Sequence, residues 1–478
     1  MTWLLLALTI GTASPSGPGY DPAELAPVVV PEASSLAMDY YRSGVVLWFI
    51  VHAWGLLVPA VILFSGLSGR MQRLAQRVVS PGGPDSLLSG WPSHKRLAGG
   101  AARESGQGES PDLLSLRDPE NKLSGPPGDC RTTGARAGLV WFGTIAVYAL
   151  LYLGLTFLID LPIDYYLGYV RPHHYGLSNQ TPERWLEQGL KGLAVTAVVA
   201  VLFLWIPYLL LARSPRRWWL WLGLLTLPFA VGGAIVKPIW IDPLFHDFGP
   251  MKDPALEAKI LALAERAGID GGRVFEVDMS RDTKTVNAYV TGLFGTKRIV
   301  LWDTLLDRLD DKETLAVMGH EMGHYVLNHV AWGVGLATLG SLVLLFLVDR
   351  VGQALVRRFG TRFGFDRLAE VASVPLMILL LNAFNLIGAP VQLAVSRAME
   401  HEADRFGLEI TRTNHSAATS FAKLQHENLS NPRPGWLSVL WRSSHPPIGD
   451  RIDFCNAYHP WAEGKPGRYI DAAPSPSR

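Results

Sequence analysis

Residues Val317–His329 read VMGHEMGHYVLNH. On a helix, residues four apart stand one turn above each other on the same face, so His320 and His324 can aim both imidazoles at one cation. Glu321, beside the first histidine, is placed to take a proton from a water that such a cation activates and to return it to a leaving amine. The surrounding DKETLAVMGHEMGHYVLNH (Asp311–His329) opens on acidic residues and holds no proline, as a helix start should. The plain alternative is a chance helix carrying two exposed histidines, and composition alone produces this pattern in only about a few per cent of chains of this length.

Working outward, the chain turns apolar. Of 478 residues, 49% are hydrophobic and only 18% charged, against roughly 25% charged in an ordinary soluble domain. Six apolar runs approach the roughly 20 residues that a bilayer-crossing helix needs: Gly44–Leu67, Gly138–Ile159, Gly192–Leu211, Trp218–Val236, Val330–Val348 and Val371–Val395. A helix alone satisfies its backbone within one such segment, so the expected fold is mainly α, a multi-span α-helical integral membrane protein in contact with the lipid bilayer. The net charge of +1 gives no field to attract nucleic acid, and none is expected as a partner. Cys130 and Cys455 are too isolated for a disulfide framework or a thiolate metal site.

Three regions follow. Residues 1–43 form a pre-membrane segment whose opening, MTWLLLALTIGTASPSGPG, is too short to span; small residues and proline follow it as after a cleaved signal, yet it lacks a basic start, so a disordered or reentrant beginning stays open. Residues 44–237 carry the first membrane helices, interrupted at about 68–136 by a Gly-, Ser- and Pro-rich stretch expected to be a mobile loop. Residues 238–478 form the domain that holds the histidine pair and includes the last two spans, at about 330–348 and 371–395. Here DPALEAKILALAERAGI has helical periodicity, while GRVFEVDM and KRIVLW read as short strands, a small β element.

A catalytic metal site needs a third protein ligand. The metzincin pattern would put glycine and histidine where Leu327 and Val330 stand, so that class is excluded. His329 follows His324 by five and points away on a continuous helix, which makes it a surface residue or at most a support behind the ligands. The stretch SRAMEHEADRFG (Ser396–Gly407) follows the last span, and its Glu400 and Asp404 share a helix face; one could bind metal while the other holds an imidazole N–H. Spacing alone leaves Glu402 open as the ligand instead.

GHEMGH followed after a span by SRAMEHEAD resembles the type I CAAX prenyl protease family of membrane zinc endopeptidases. VNAYVTGLFGTKRIVLWDTLL (Val286–Leu306), SSHPPIGDRI (Ser443–Ile452), LIDLPIDYYLGYVRPHHYGLSNQTPERW (Leu158–Trp185) and KPIWIDPLFHDFGPM (Lys237–Met251) carry the likeness across roughly Gly138–Arg451. The resemblance implies a zincin-like domain of gluzincin type in which His320, His324 and Glu400 bind one Zn2+ and Glu321 is the general acid/base. It further implies that Asn287 and His445 contact substrate and oxyanion, with Arg451 near them and Asp404 behind the ligands. The expected partner is a peptide or protein substrate, prenylated if the family's chemistry is kept.

Departures accompany the likeness. The family has seven spans around a membrane chamber, whereas six are counted here. AAPSPSR at the end carries no retention signal, so a prokaryotic inner membrane is as compatible as the endoplasmic reticulum. The family orientation, taken as the expectation, puts the zinc domain in the cytoplasm; basic ARSPRRWW and DRVGQALVRRFGTRFGFDR between spans favour the opposite side. Two other functions stay in view: a quality-control protease of misfolded membrane proteins, and a zinc-binding scaffold or transporter, for which Glu321 would be superfluous. His52, Asn382 and Asn385 inside spans are read as helix-to-helix hydrogen-bonding residues, and His173 and His174 as packing.

Overall fold

A serine begins the first membrane helix: Ser34 Oγ accepts the Ala37 amide, and α1 (Ser35–Phe64) then runs apolar for 30 residues. This is a computed structural model, and it describes residues 19–81, 130–269, 273–291 and 298–470, excluding the side chains of 130–135. The signal-like opening and most of the expected loop lie outside the described residues.

The front of that loop is a correction. Left-handed Gly66 (φ +69°) turns the chain into α2 (Leu67–Val79), a helix where Ser68 onward was expected to be mobile. It buries Met71 and Ala75 against the spans while Ser68 Oγ donates to the Ala372 carbonyl and the Gln72 side chain meets Ala372 and Glu370. Ordering therefore comes from a few polar contacts and one narrow apolar stripe, which a composition rich in Arg, Ser and Gly hides.

α3 (Cys130–Tyr165) continues through π-helical Tyr166–Val170 into α4 (Arg171–His174), and α5 (Pro182–Phe203), α6 (Trp205–Arg213) and α7 (Trp218–Val236) follow. Among the described residues, six stretches are long and apolar enough to cross a membrane: 35–64, 136–174, 182–213, 218–244, 329–363 and 371–411. They match the six expected runs. Large apolar side chains such as Phe49, Leu158, Val198, Trp240, Ile387 and Val391 stay exposed on them, as lipid-facing positions do. Asn382 Nδ2 donates to the Gly55 carbonyl across two spans, whereas His52 and His173 bond carbonyls of their own helices.

The part outside the spans starts with β1 (Phe248–Gly249), α8 (Pro254–Arg266), β2 (Arg273–Val277), β3 (Ala288–Thr291) and β4 (Arg298–Trp302). The sheet order is β1-β2-β4-β3, with β2 and β4 parallel and β3 antiparallel to β4, so among the described residues one edge of β3 is unpaired. α9 (Asp303–Leu306) leads to α10 (Asp311–Val326), whose start is a reciprocal capping box between Asp310 and Glu313. Then come α11 (His329–Phe363), α12 (Val374–Thr411), α13 (Asn414–Glu427), α14 (Trp436–Arg442) and α15 (Ile448–Ala457).

The segment before α1 is tied to this domain. Glu24 is buried and accepts the Ser416 amide and hydroxyl, Lys312 donates to it, and the Asn456 amide brackets Val28. At the other end of the spans α2 meets the 371–373 turn, and Arg362 lies over Phe64. That end gathers Arg70, Arg73, Arg77, Arg213, Arg216, Arg217, Arg357, Arg358 and Arg367.

Candidate metal centre

Two helices that touch backbone to backbone place the candidate ligands. α10 brings His320 and His324, and α12 brings Glu400. Gly319 and Gly323 on one helix face Gly407 and Ala403 on the other: a methyl on Gly407 would stand 2.8 Å from the His320 amide nitrogen, and one on Gly323 would stand 3.1 Å from Ala403 Cα. Gly407→Ala is therefore expected to push the helices apart, lowering thermal stability by about 1–3 kcal/mol and reducing bound metal, as a melting curve and elemental analysis would read.

The three polar ends converge. His320 Nε2 lies 3.2 Å from His324 Nε2 and 3.3 Å from Glu400 Oε2, and His324 Nε2 lies 3.4 Å from Glu400 Oε1. Ligands at about 2.0–2.1 Å from a tetrahedral cation would be separated by roughly 3.3 Å, so the residues fit one metal ion. Glu400 Oε2 is moreover buried without a hydrogen bond, and a coordinated cation would engage its lone pair. The other carboxylate, Glu402, is occupied elsewhere by Arg405, Arg468 and the Tyr469 hydroxyl. Those pairings leave Glu400, and not Glu402, facing the two imidazoles.

Behind the ligands, Asp404 Oδ1 lies 2.8 Å from His320 Nδ1, which fixes that ring nitrogen as the protonated one and frees Nε2 for metal. Arg451 grips Asp404 with two bonds, Nη2 to Oδ1 at 2.6 Å and Nε to Oδ2 at 2.9 Å, and its guanidinium stacks 4.0 Å from the Phe421 ring. Arg451 thus supports the ligands through Asp404. Glu321 is half-buried; burial pushes its carboxyl above the ordinary value, against the pull of His320 and His324.

His445 reaches in from the loop before α15, its Nε2 3.2 Å from Glu400 Oε2 and its Nδ1 2.9 Å from Ser444 Oγ. Asn287 is not drawn into this cluster: it stands exposed just before β3, its Oδ1 accepting the Ala288 amide, although β3 itself packs beside α10. His329 is a second correction. α10 ends at Val326 and left-handed Asn328 (φ 55°) reverses the chain, so His329 Nδ1 comes to 3.0 Å from His324 Nδ1 instead of pointing away. No Gly or Pro announces that break; asparagine is one of the few residues that tolerates it.

Comparison with known proteins places the chain in a family. Residues 250–458 match Peptidase family M48, and residues 138–247 match the CAAX prenyl protease N-terminal region with five membrane helices. The uncharacterized metalloprotease YhfN of Bacillus subtilis (strain 168) is 39% identical over 62% of this chain and 70% of its own length. The chain belongs to peptidase family M48. CAAX prenyl protease 1 of Saccharomyces cerevisiae is 27% identical over 62% of the chain and 69% of its own, and the Arabidopsis thaliana homologue is 31% identical over 61% and 69%. The crystal structure of S. mikatae Ste24p shares the fold, with a TM-score of 0.57 and 24% identity over 65% of this chain and 75% of that one. As an M48 peptidase the protein is a multi-pass membrane metalloprotease, a hydrolase of peptide bonds with a metal cofactor.

Proposed function

We propose that this M48 peptidase is a zinc endopeptidase that removes C-terminal residues from CAAX-type or otherwise lipidated proteins. The observation that carries the reading is the three-sided convergence of His320, His324 and Glu400 with Glu321 beside it. Two imidazoles and one carboxylate are a donor set suited to Zn2+ with an open position. Bound there, the ion would lower the pKa of a water to about 7 and polarise a scissile carbonyl.

The chain's own residues do the rest. Glu321 accepts the proton of the attacking water and passes it to the leaving amine. His445 and the Asn287 amide are the donors proposed for the developing oxyanion. The unpaired edge of β3 offers backbone groups to an extended peptide. CAAX-type substrates are suggested by the printed names of the yeast and plant relatives.

The test is elemental analysis of the purified protein together with cleavage of quenched fluorescent peptides, with and without a farnesyl group. Stoichiometric zinc and farnesyl-dependent cleavage are expected. Cleavage indifferent to farnesyl would move the substrate to misfolded membrane proteins, and zinc with no cleavage of any peptide would sink the endopeptidase reading. In the orientation that the resemblance implies, the metal end faces the cytoplasm; the arginines gathered at the opposite end argue for the reverse, and protease access to a C-terminal tag in sealed vesicles decides between them.

A further inference from the structure

Two arginines converge in a cavity that the chemistry above does not use. The cavity, about 490 Å³, lies between the start of α1 and the loops around α14, and Arg171 and Arg442 line it. Both guanidiniums come within 3.3 Å of the point where a side chain on Gly44 would begin, so the pair closes over a glycine. Arg171 Nη2 donates to the Tyr40 carbonyl at 2.7 Å and the guanidinium lies 3.7 Å over the Tyr40 ring, but its Nε is buried without a partner. Arg442 Nη1 donates to Ser438 Oγ at 3.0 Å. Among the described residues no carboxylate forms an ion pair with either arginine, and the groups acting on Arg442 besides burial are Tyr41 and Arg171 itself. Two like charges, half-buried and facing one space, are costly until an anion enters.

The cavity wall runs into the metal centre. Ser443 lines it, and His445, two residues on, touches Glu400; two residues of chain span at most about 7 Å. On another wall, Asn428 Oδ1 accepts the Val286 amide, one residue before Asn287 and the β3 edge.

We infer that Arg171 and Arg442 clamp the C-terminal carboxylate of the peptide substrate. The inference rests on the endopeptidase reading above and adds its ruler: a carboxylate held here fixes how many residues separate the chain end from the cleaved bond. Planar guanidiniums match a carboxylate bond for bond.

One farnesylated quenched peptide, synthesised as free acid and as C-terminal amide, tests it. The parent is expected to cleave the acid at least about tenfold faster in kcat/KM, and Arg442→Gln and Arg171→Gln to erase that preference while amide cleavage holds. Equal cleavage of acid and amide by the parent overturns the clamp and leaves the endopeptidase reading standing, as does equal loss of both in the variants. Binding of the same two peptides to the Glu321→Gln protein, read by fluorescence anisotropy, tests the clamp without turnover: tighter binding of the acid, lost with Arg442→Gln, supports it, and equal or absent binding overturns it. Nanodiscs of phosphatidylglycerol and phosphatidylcholine complete the set. A phosphatidylglycerol dependence that vanishes in Arg442→Gln while the acid preference persists would assign the pair to a lipid phosphate and overturn the inference.

Discussion

Replacing Glu321 by glutamine is expected to lower kcat by about 10²- to 10⁴-fold with zinc content unchanged. The substitution keeps shape and removes only the ability to take and return a proton. Because Glu321 is not one of the three converging ligands, the cation has no reason to leave. Elemental analysis and single-turnover cleavage on the same preparation separate the two possibilities. A variant that loses metal along with activity would show that Glu321 helps hold the ion and would remove its assignment as the acid/base.

The second large effect is expected at Asp404. It is buried and shared between Arg451 and His320, so Asp404→Ala strands a buried guanidinium and unlocks the imidazole tautomer. Breaking such a pair by removing one partner costs about 3–5 kcal/mol, and losing the residue that orients a metal-binding histidine weakens metal affinity about 10- to 100-fold. Thermal melts with chelator present isolate the first effect, and competitive zinc titration the second. Glu402→Ala is the control: its partners Arg405 and Arg468 are partly exposed, and the change should stay below about 1 kcal/mol. Equal effects at both positions would refute the special role of Asp404.

What the sequence displays and what it conceals divide along physical lines. Spans are legible because bilayer thickness sets their length, and His320, Glu321 and His324 because one helical turn relates them. Glu400 was narrowed only to one of two glutamates four or six residues along the same stretch from Ser396; the resemblance chose between them, and the pairing of Glu402 with Arg405, Arg468 and Tyr469 supplies the reason. Contacts between distant segments were not legible at all. The glycines of HEMGH and ADRFG look like ordinary helix residues until α10 and α12 are seen touching. Arg171 and Arg442 are unremarkable surface cations until the fold sets them around Gly44. α2 reads as loop because its ordering rests on Ser68, Gln72 and a narrow stripe.

The helix that carries Glu400 does not stop at the membrane surface. α12 is one rod of 38 residues, about 57 Å long, running from a buried turn at Val371–Ser373 through the bilayer to Thr411, with Pro390 part-way. His320 and His324 ride on a separate, shorter helix outside the lipid. Glu400 is thus carried on the far arm of a lever whose near arm is set in the hydrocarbon. A span longer than the local hydrocarbon tilts to fit it, so the thickness of the surrounding lipid bears on how the three ligands close. Turnover measured in short-chain and long-chain bilayers of one headgroup should differ, and identical rates would show that the glycine seam holds the arm fixed.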